Sequence, residues 1–159
     1  MRKFLAAAIA ALALPAAAAD VTVGMNLVSW HDRPGLEAFT PGLYIRTTGD
    51  WFASAGVYRN SQGFLSAHVG GGYSWRRGPW DVSVMAGAVY GYRDEQVWIY
   101  TDTGAEAFKT YEPPKWRPML VPSIGYRSDD GWSPRVFVIP PGDKDLGSWC
   151  VSFAIERSF

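Results

Sequence analysis

Imidazole is the side chain best suited to accept a proton near neutral pH, and the chain carries two, His31 and His68. A hydroxyl beside such a base becomes a nucleophile toward an ester, because the ring takes the proton as the oxygen attacks. Ser61, in Asn60-Ser61-Gln62-Gly63, is a candidate for that hydroxyl. His31 and Ser61 each follow a strand-like run, but they are thirty residues apart, so only the fold can join them. Asn60-Ser61-Gln62-Gly63 is equally good as a plain β-turn. His68 falls mid-strand among Ser66, Gly70 and Gly72 and reads as the filling of a polar niche. No cluster of Cys, His and carboxylates has metal-ligand spacing, and Gly70-Gly71-Gly72 lies inside a strand, where it serves close approach or a bend. Neither a metal nor any other cofactor is expected. Cys150 is the sole cysteine, so no intrachain disulfide staples the chain.

The elements that must position these groups follow from the compartment. Met1-Arg2-Lys3 supplies a positive start, residues 4–14 an apolar run, and Pro15-Ala16-Ala17-Ala18-Ala19 a small-residue exit. That order describes a secretory signal peptide over residues 1–19 with the mature chain starting at Asp20. The apolar run is too short for a membrane helix, which needs about 20 apolar residues. Removing Arg2 and Lys3 from 15 basic residues leaves 13 against 15 acidic ones in the mature chain, a balance that offers nothing to nucleic acid. Eight Trp, eight Tyr and eight Phe are a heavy aromatic load for a chain of 159 residues. Aromatic rings gather at both edges of a bilayer. With no later segment of helical spanning length, membrane residence has to come from strands.

Strands are legible by alternation. From 147 to 159 the odd positions are apolar, aromatic or long (Trp149, Val151, Phe153, Ile155, Arg157, Phe159), whereas the even ones are small or polar (Ser148, Cys150, Ser152, Ala154, Glu156, Ser158). Over 80–93, Trp80, Val82, Val84, Ala86, Ala88, Tyr90 and Tyr92 are assigned to the lipid face, and Asp81, Ser83, Met85, Gly87, Val89, Gly91 and Arg93 to the interior. Over 65–76, Leu65, Ala67, Val69, Gly71, Tyr73 and Trp75 face out, against Ser66, His68, Gly70, Gly72, Ser74 and Arg76. Further strands are expected at 21–30, 42–47, 51–59, 116–127 and 132–140, with no helix of consequence. The predicted fold is all-β: an eight-stranded antiparallel transmembrane β-barrel. Tight turns at 48–50, 77–79 and 128–131 alternate with longer links at 31–41, 60–63, 94–115 and 141–146. Membrane barrels keep short turns on the periplasmic side and longer loops outside, so His31 and Ser61 both fall on the outer rim.

In order along the chain, Trp30-His31, Tyr58-Arg59-Asn60-Ser61, Gly72-Tyr73-Ser74-Trp75, residues 88–94, residues 120–126 and Val138-Ile139-Pro140 resemble the lipid A palmitoyltransferase (PagP) barrels of bacterial outer membranes. The terminal Phe159 resembles the C-terminal signal of outer-membrane barrels. The family resemblance implies His31, Asn60 (at an Asp position) and Ser61 as catalytic residues. It also implies transfer of a palmitoyl-type chain from the sn-1 position of a phospholipid to lipid A by a monomer in the outer membrane. Gly70 and Gly72 would then form the floor of an acyl pocket, with Arg93 among the substrate contacts. Pro122 and Pro140 match prolines that interrupt ladder hydrogen bonds and open a lateral gap for lipid. Two other functions fit the same residues: an outer-membrane lipid hydrolase using water as acceptor, and a non-enzymatic barrel that binds or shields through its outer loops.

Overall fold

A computed structural model describes residues 21–100, 106–141 and 148–159 of the chain; the expected signal peptide lies outside the described residues. Eight strands close into an antiparallel barrel: β1 (Val21–His31), β2 (Phe39–Thr47), β3 (Trp51–Arg59), β4 (Leu65–Arg77), β5 (Trp80–Tyr90), β8 (Trp116–Tyr126), β9 (Trp132–Ile139) and β10 (Cys150–Ser158). They follow one another around the wall, and β10 pairs back onto β1. Closure pairs the strand edges all round the wall apart from the upper part of the β8–β9 seam, the condition a sheet must largely meet to cross lipid. The outer link between β5 and β8, expected as a plain loop, carries a separate hairpin of β6 (Glu95–Tyr100) and β7 (Glu106–Tyr111).

The barrel is apolar outside and polar inside. Val23, Met25, Leu43, Ile45, Val69, Val82, Leu120 and Phe153 are exposed along the middle of the wall. Aromatic rings band its two ends: Trp30, Phe39, Tyr90, Trp116 and Trp149 on the outer side, and Trp51, Trp75, Trp80, Tyr126 and Trp132 on the other. Edge-on ring pairs tie the second band together, Trp51 with Tyr73 at 5.0 Å and Trp80 with Tyr126 at 5.2 Å between centroids. Such exposure would be an aggregation hazard in water; in lipid it is the required surface.

The lower interior is closed by charge. Arg46, Arg135, Asp81 and Glu156 are all buried. Arg135 Nε lies 2.8 Å from Glu156 Oε2, and Arg135 and Arg46 lie 3.4 and 3.5 Å from the Asp81 carboxylate. Tyr44 donates to Glu156 at 2.8 Å, and Arg46 donates to Ser74 at 2.6 Å and covers the Phe52 ring at 4.0 Å. Two buried cations face two buried anions, and the half-buried Arg76 reaches Asp81 from the rim at 3.6 Å.

Three local departures from regular ladders shape the upper half. The pairing of β1 shifts between Asn26 and Val28, a bulge. Val23 and Met25 face lipid below it, whereas above it Ser29 is buried and Trp30 exposed. One extra residue reverses the faces of everything after it. At the end of β5, Gly91 has a φ of 119°, a left-handed conformation that only glycine adopts cheaply. Its peptide turns the following side chain inward: Tyr92, assigned to the lipid face by simple alternation, lines the lumen instead, and its hydroxyl accepts from Tyr58 at 3.5 Å. Third, β8 pairs with β5 along its whole length, from Trp116 to Tyr126, but with β9 only at Ser123, Ile124 and Gly125. Residues 116–122 therefore have no ladder toward β9. Pro118 and Pro122 share one parity, and their missing N–H groups belong to the side left unpaired.

Candidate functional site

Above the charged layer the lumen opens into a cavity of about 90 Å³. Its floor is Phe52, Met85 and Val121, which pack with Met119, Phe137 and Ile139. Its mouth is polar, ringed by His31, Ser61, Tyr58, Tyr92, Thr40 and Cys150. Val121 and Ser123 of β8 and Phe137 and Ile139 of β9 all line it, so the unpaired seam runs along one cavity wall.

The bulge in β1 brings His31 into this cavity. Both of its ring nitrogens are shielded from solvent, and the Glu37 backbone is the one polar group that approaches the ring without closing a well-formed hydrogen bond. A neutral imidazole carries one donor and one acceptor, and leaving both unused costs about 1–3 kcal/mol per group. An arrangement held at that cost points to a ligand or reacting group that meets the ring. Ser61 lines the same cavity, and its carbonyl accepts from the Glu37 amide at 2.8 Å, tying the first outer link to the second. The structure thus places His31 and Ser61 on one cavity, without a hydrogen bond between them.

Asn60, wholly buried, lines the same cavity, and its side chain is held by four hydrogen bonds. Its Oδ1 accepts from the amides of Gln62 and Phe64 at 2.9 and 3.0 Å, and its Nδ2 donates to Ser66 Oγ at 2.9 Å and the Gly91 carbonyl at 3.3 Å. Those bonds hold the turn and the left-handed Gly91 in place. Gly70 and Gly72 are not at the cavity wall; they meet the neighbouring strand instead. A Cβ on Gly72 would fall 2.1 Å from the Val84 carbonyl oxygen and one on Gly70 2.6 Å from that of Ala86. They permit close approach of β4 and β5, and the floor belongs to Phe52 and Met85. Arg93 stands outside the cavity lining: its guanidinium covers the Phe64 ring at 4.4 Å, and its backbone is bracketed by the Gln62 amide. Pro122 lies on the open seam, and Pro140 directly follows β9 on the other side of it. His68 sits between Tyr44 and Tyr58, with Ser54 Oγ 3.3 Å from Nε2, so it fills the polar niche expected of it. Alternation missed Tyr92, Phe52 and Cys150 as cavity residues, although the inward parity of Cys150 was visible in the last strand. Among the described residues no group of His, Cys, Asp and Glu could hold a metal ion.

The base of the β6–β7 hairpin is tied to the barrel rim. Asp94 pairs with Arg117 and Lys115, and the Phe64 and Tyr111 rings meet edge-on at 5.0 Å. The hydrogen bond from Arg117, above all, holds the Asp94 carboxyl below the usual carboxylate range.

An inside-out, closed, eight-stranded antiparallel barrel with aromatic bands and a polar lumen is a transmembrane barrel of the outer-membrane type. Known structures agree on the fold. The N-terminal β-barrel domain of Pseudomonas aeruginosa OprF is 13% identical with a TM-score of 0.59, over 88% of this chain and 97% of that one. A de novo designed transmembrane β-barrel is 16% identical with a TM-score of 0.58, over 89% and 96%. Ail, the attachment invasion locus protein of Yersinia pestis, solved with the heparin analogue sucrose octasulfate, is 13% identical with a TM-score of 0.50, over 89% and 97%. At such identities the likeness carries the fold alone. No protein-family model and no curated protein matches the chain.

Proposed function

We propose that this barrel takes a lipid acyl chain into its upper cavity and transfers it from a phospholipid to lipid A, with His31 as the base. The observation that carries the proposal is the open β8–β9 seam along a cavity that also holds an imidazole with no side-chain hydrogen bond. A phospholipid in the outer leaflet can slide an acyl chain sideways between residues 116–122 of β8 and the end of β9 without breaking ladder bonds. Phe52, Met85 and Val121 receive its apolar end, and the ester comes to rest at the polar mouth. There His31 accepts the proton of the attacking group, and the Ser61 hydroxyl orients the ester. Export by residues 1–19, maturation at Asp20 and action as a monomer belong to the same proposal.

Mass spectrometry of lipid A from expressing cells tests it. The expected result is one added acyl chain with the intact protein and none with His31→Ala, although that variant still shows the heat-dependent gel shift of a folded barrel. Lipid A without an added chain in cells carrying the intact barrel would refute the transferase. Incubating the purified barrel with phospholipid, with and without lipid A, separates transfer from hydrolysis. A second reading, a non-enzymatic barrel binding through its outer loops, is favoured by the β6–β7 hairpin, whose base is fixed to β8 by Asp94–Arg117. It predicts that deleting the hairpin abolishes function while His31→Ala is silent.

A further inference from the structure

The barrel closes by pairing its first strand with its last, and the uppermost rung of that ladder sets His31 opposite Cys150. Directly opposed residues on one face have Cβ atoms about 4.5–5.5 Å apart, and both of these line the cavity. Two rungs below, on the same face, Ser29 stands opposite Ser152, both buried, and Ser29 hydrogen-bonds the Cys150 thiol. Ser29 is fixed in turn by Thr40 at 2.7 Å. Just above, the Asp32 amide donates to the Trp149 carbonyl and caps the ladder. Ser61 stands on the turn after β3, off the ladder, and touches the first link through the Glu37 amide. The thiol is one strand away from the base. Sulfur is also the stronger nucleophile, and an adjacent imidazole activates it by taking its proton. The His31 nitrogens supply the second, independent feature: they are shielded from solvent beside the cavity, and no side chain is hydrogen-bonded to the ring.

We infer that Cys150 is the acyl-accepting nucleophile, forming a thioester with the chain drawn from the phospholipid. This rests on the transferase reading above. His31 takes the thiol proton as sulfur attacks the ester carbonyl, a C–S bond forms and the C–O bond to glycerol breaks. The proton passes from His31 to the glycerol oxygen, releasing a lysophospholipid. A lipid A hydroxyl then attacks the thioester. Its proton moves through His31 to the departing sulfur, an ester forms and the thiol is restored. No oxidant or reductant is needed.

The test uses barrel purified from outer membranes, dipalmitoylphosphatidylethanolamine as donor, and intact-mass measurement after acid quench. Without lipid A, the unaltered protein is expected to carry one palmitoyl group that neutral hydroxylamine removes and added lipid A discharges. Cys150→Ala and His31→Ala show no adduct, and Cys150→Ala transfers no faster than a barrel-free control. Ser61→Ala keeps the adduct. Cys150→Ser, which retains the bond to Ser29, controls for folding and carries no hydroxylamine-labile group. Undiminished transfer by Cys150→Ala, or an adduct lost only in Ser61→Ala, would overturn the role of the thiol and leave the transferase intact. Absence of both adduct and acylated lipid A from the unaltered protein would overturn both.

Discussion

Glu156→Gln tests whether the charged layer is what closes the lower lumen. The change keeps size and an acceptor for Tyr44, so its effect isolates the charge. At 2.8 Å the attraction of Glu156 to Arg135 is about 6 kcal/mol at an effective dielectric of about 20, and to Arg46 at 3.9 Å about 4 kcal/mol. Burying the carboxylate offsets several kcal/mol of this. What remains after neutralisation is two buried guanidinium groups facing the single carboxylate of Asp81. Removing one partner of a buried pair costs about 3–5 kcal/mol. With the Tyr44 contact retained, about 3 kcal/mol is expected, on the order of 10²-fold in the unfolding equilibrium. Urea titration in detergent micelles, followed by heat-dependent gel migration, measures it. Adding Arg135→Met restores the balance between Arg46 and Asp81 and recovers most of the loss. A midpoint unmoved by Glu156→Gln, or simple additivity in the double variant, would refute the reasoning.

Replacing Pro122 by Val supplies the missing donor opposite Val138, the next residue of β9 in register. The seam is then expected to zip, adding about 1 kcal/mol per new bond to stability while acyl transfer to lipid A falls; unchanged transfer would show that lipid enters elsewhere. Asn60→Asp, which restores the residue implied by the family resemblance, sets a carboxylate against the Gly91 carbonyl and deprives Ser66 of a donor. Denaturant unfolding should show a loss of about 1–3 kcal/mol, with no gain in lipid A acylation. For Asp94, a folded-state pKa below the unfolded one means its anchoring of the hairpin is complete above about pH 4 and lost as pH falls through the lowered value. A carbon-13 titration of its carboxyl should show a depressed midpoint that Arg117→Ala returns toward normal, and a midpoint already normal in the unaltered barrel would contradict the pairing.

Sequence alone determined what has period two. The inward and outward faces of β4 and β10, most of β5, the turn positions, the outer placement of His31 and Ser61 and the proline positions are all short-range consequences of side-chain alternation and turn chemistry. Failures of alternation escaped it. A doublet such as Leu27-Val28 does not announce whether the chain bulges, and the bulge alone turns His31 from lipid to lumen. Gly91 reverses Tyr92 through one backbone angle that its neighbours do not specify. Two of the four side-chain bonds of Asn60 escaped the sequence too, because they reach Ser66 on the next strand and Gly91 at the end of β5. The pairing of His31 with Cys150 joins residues from opposite ends of the mature chain. Nothing local encodes it, because that rung exists only once the first strand meets the last and the register of barrel closure is set.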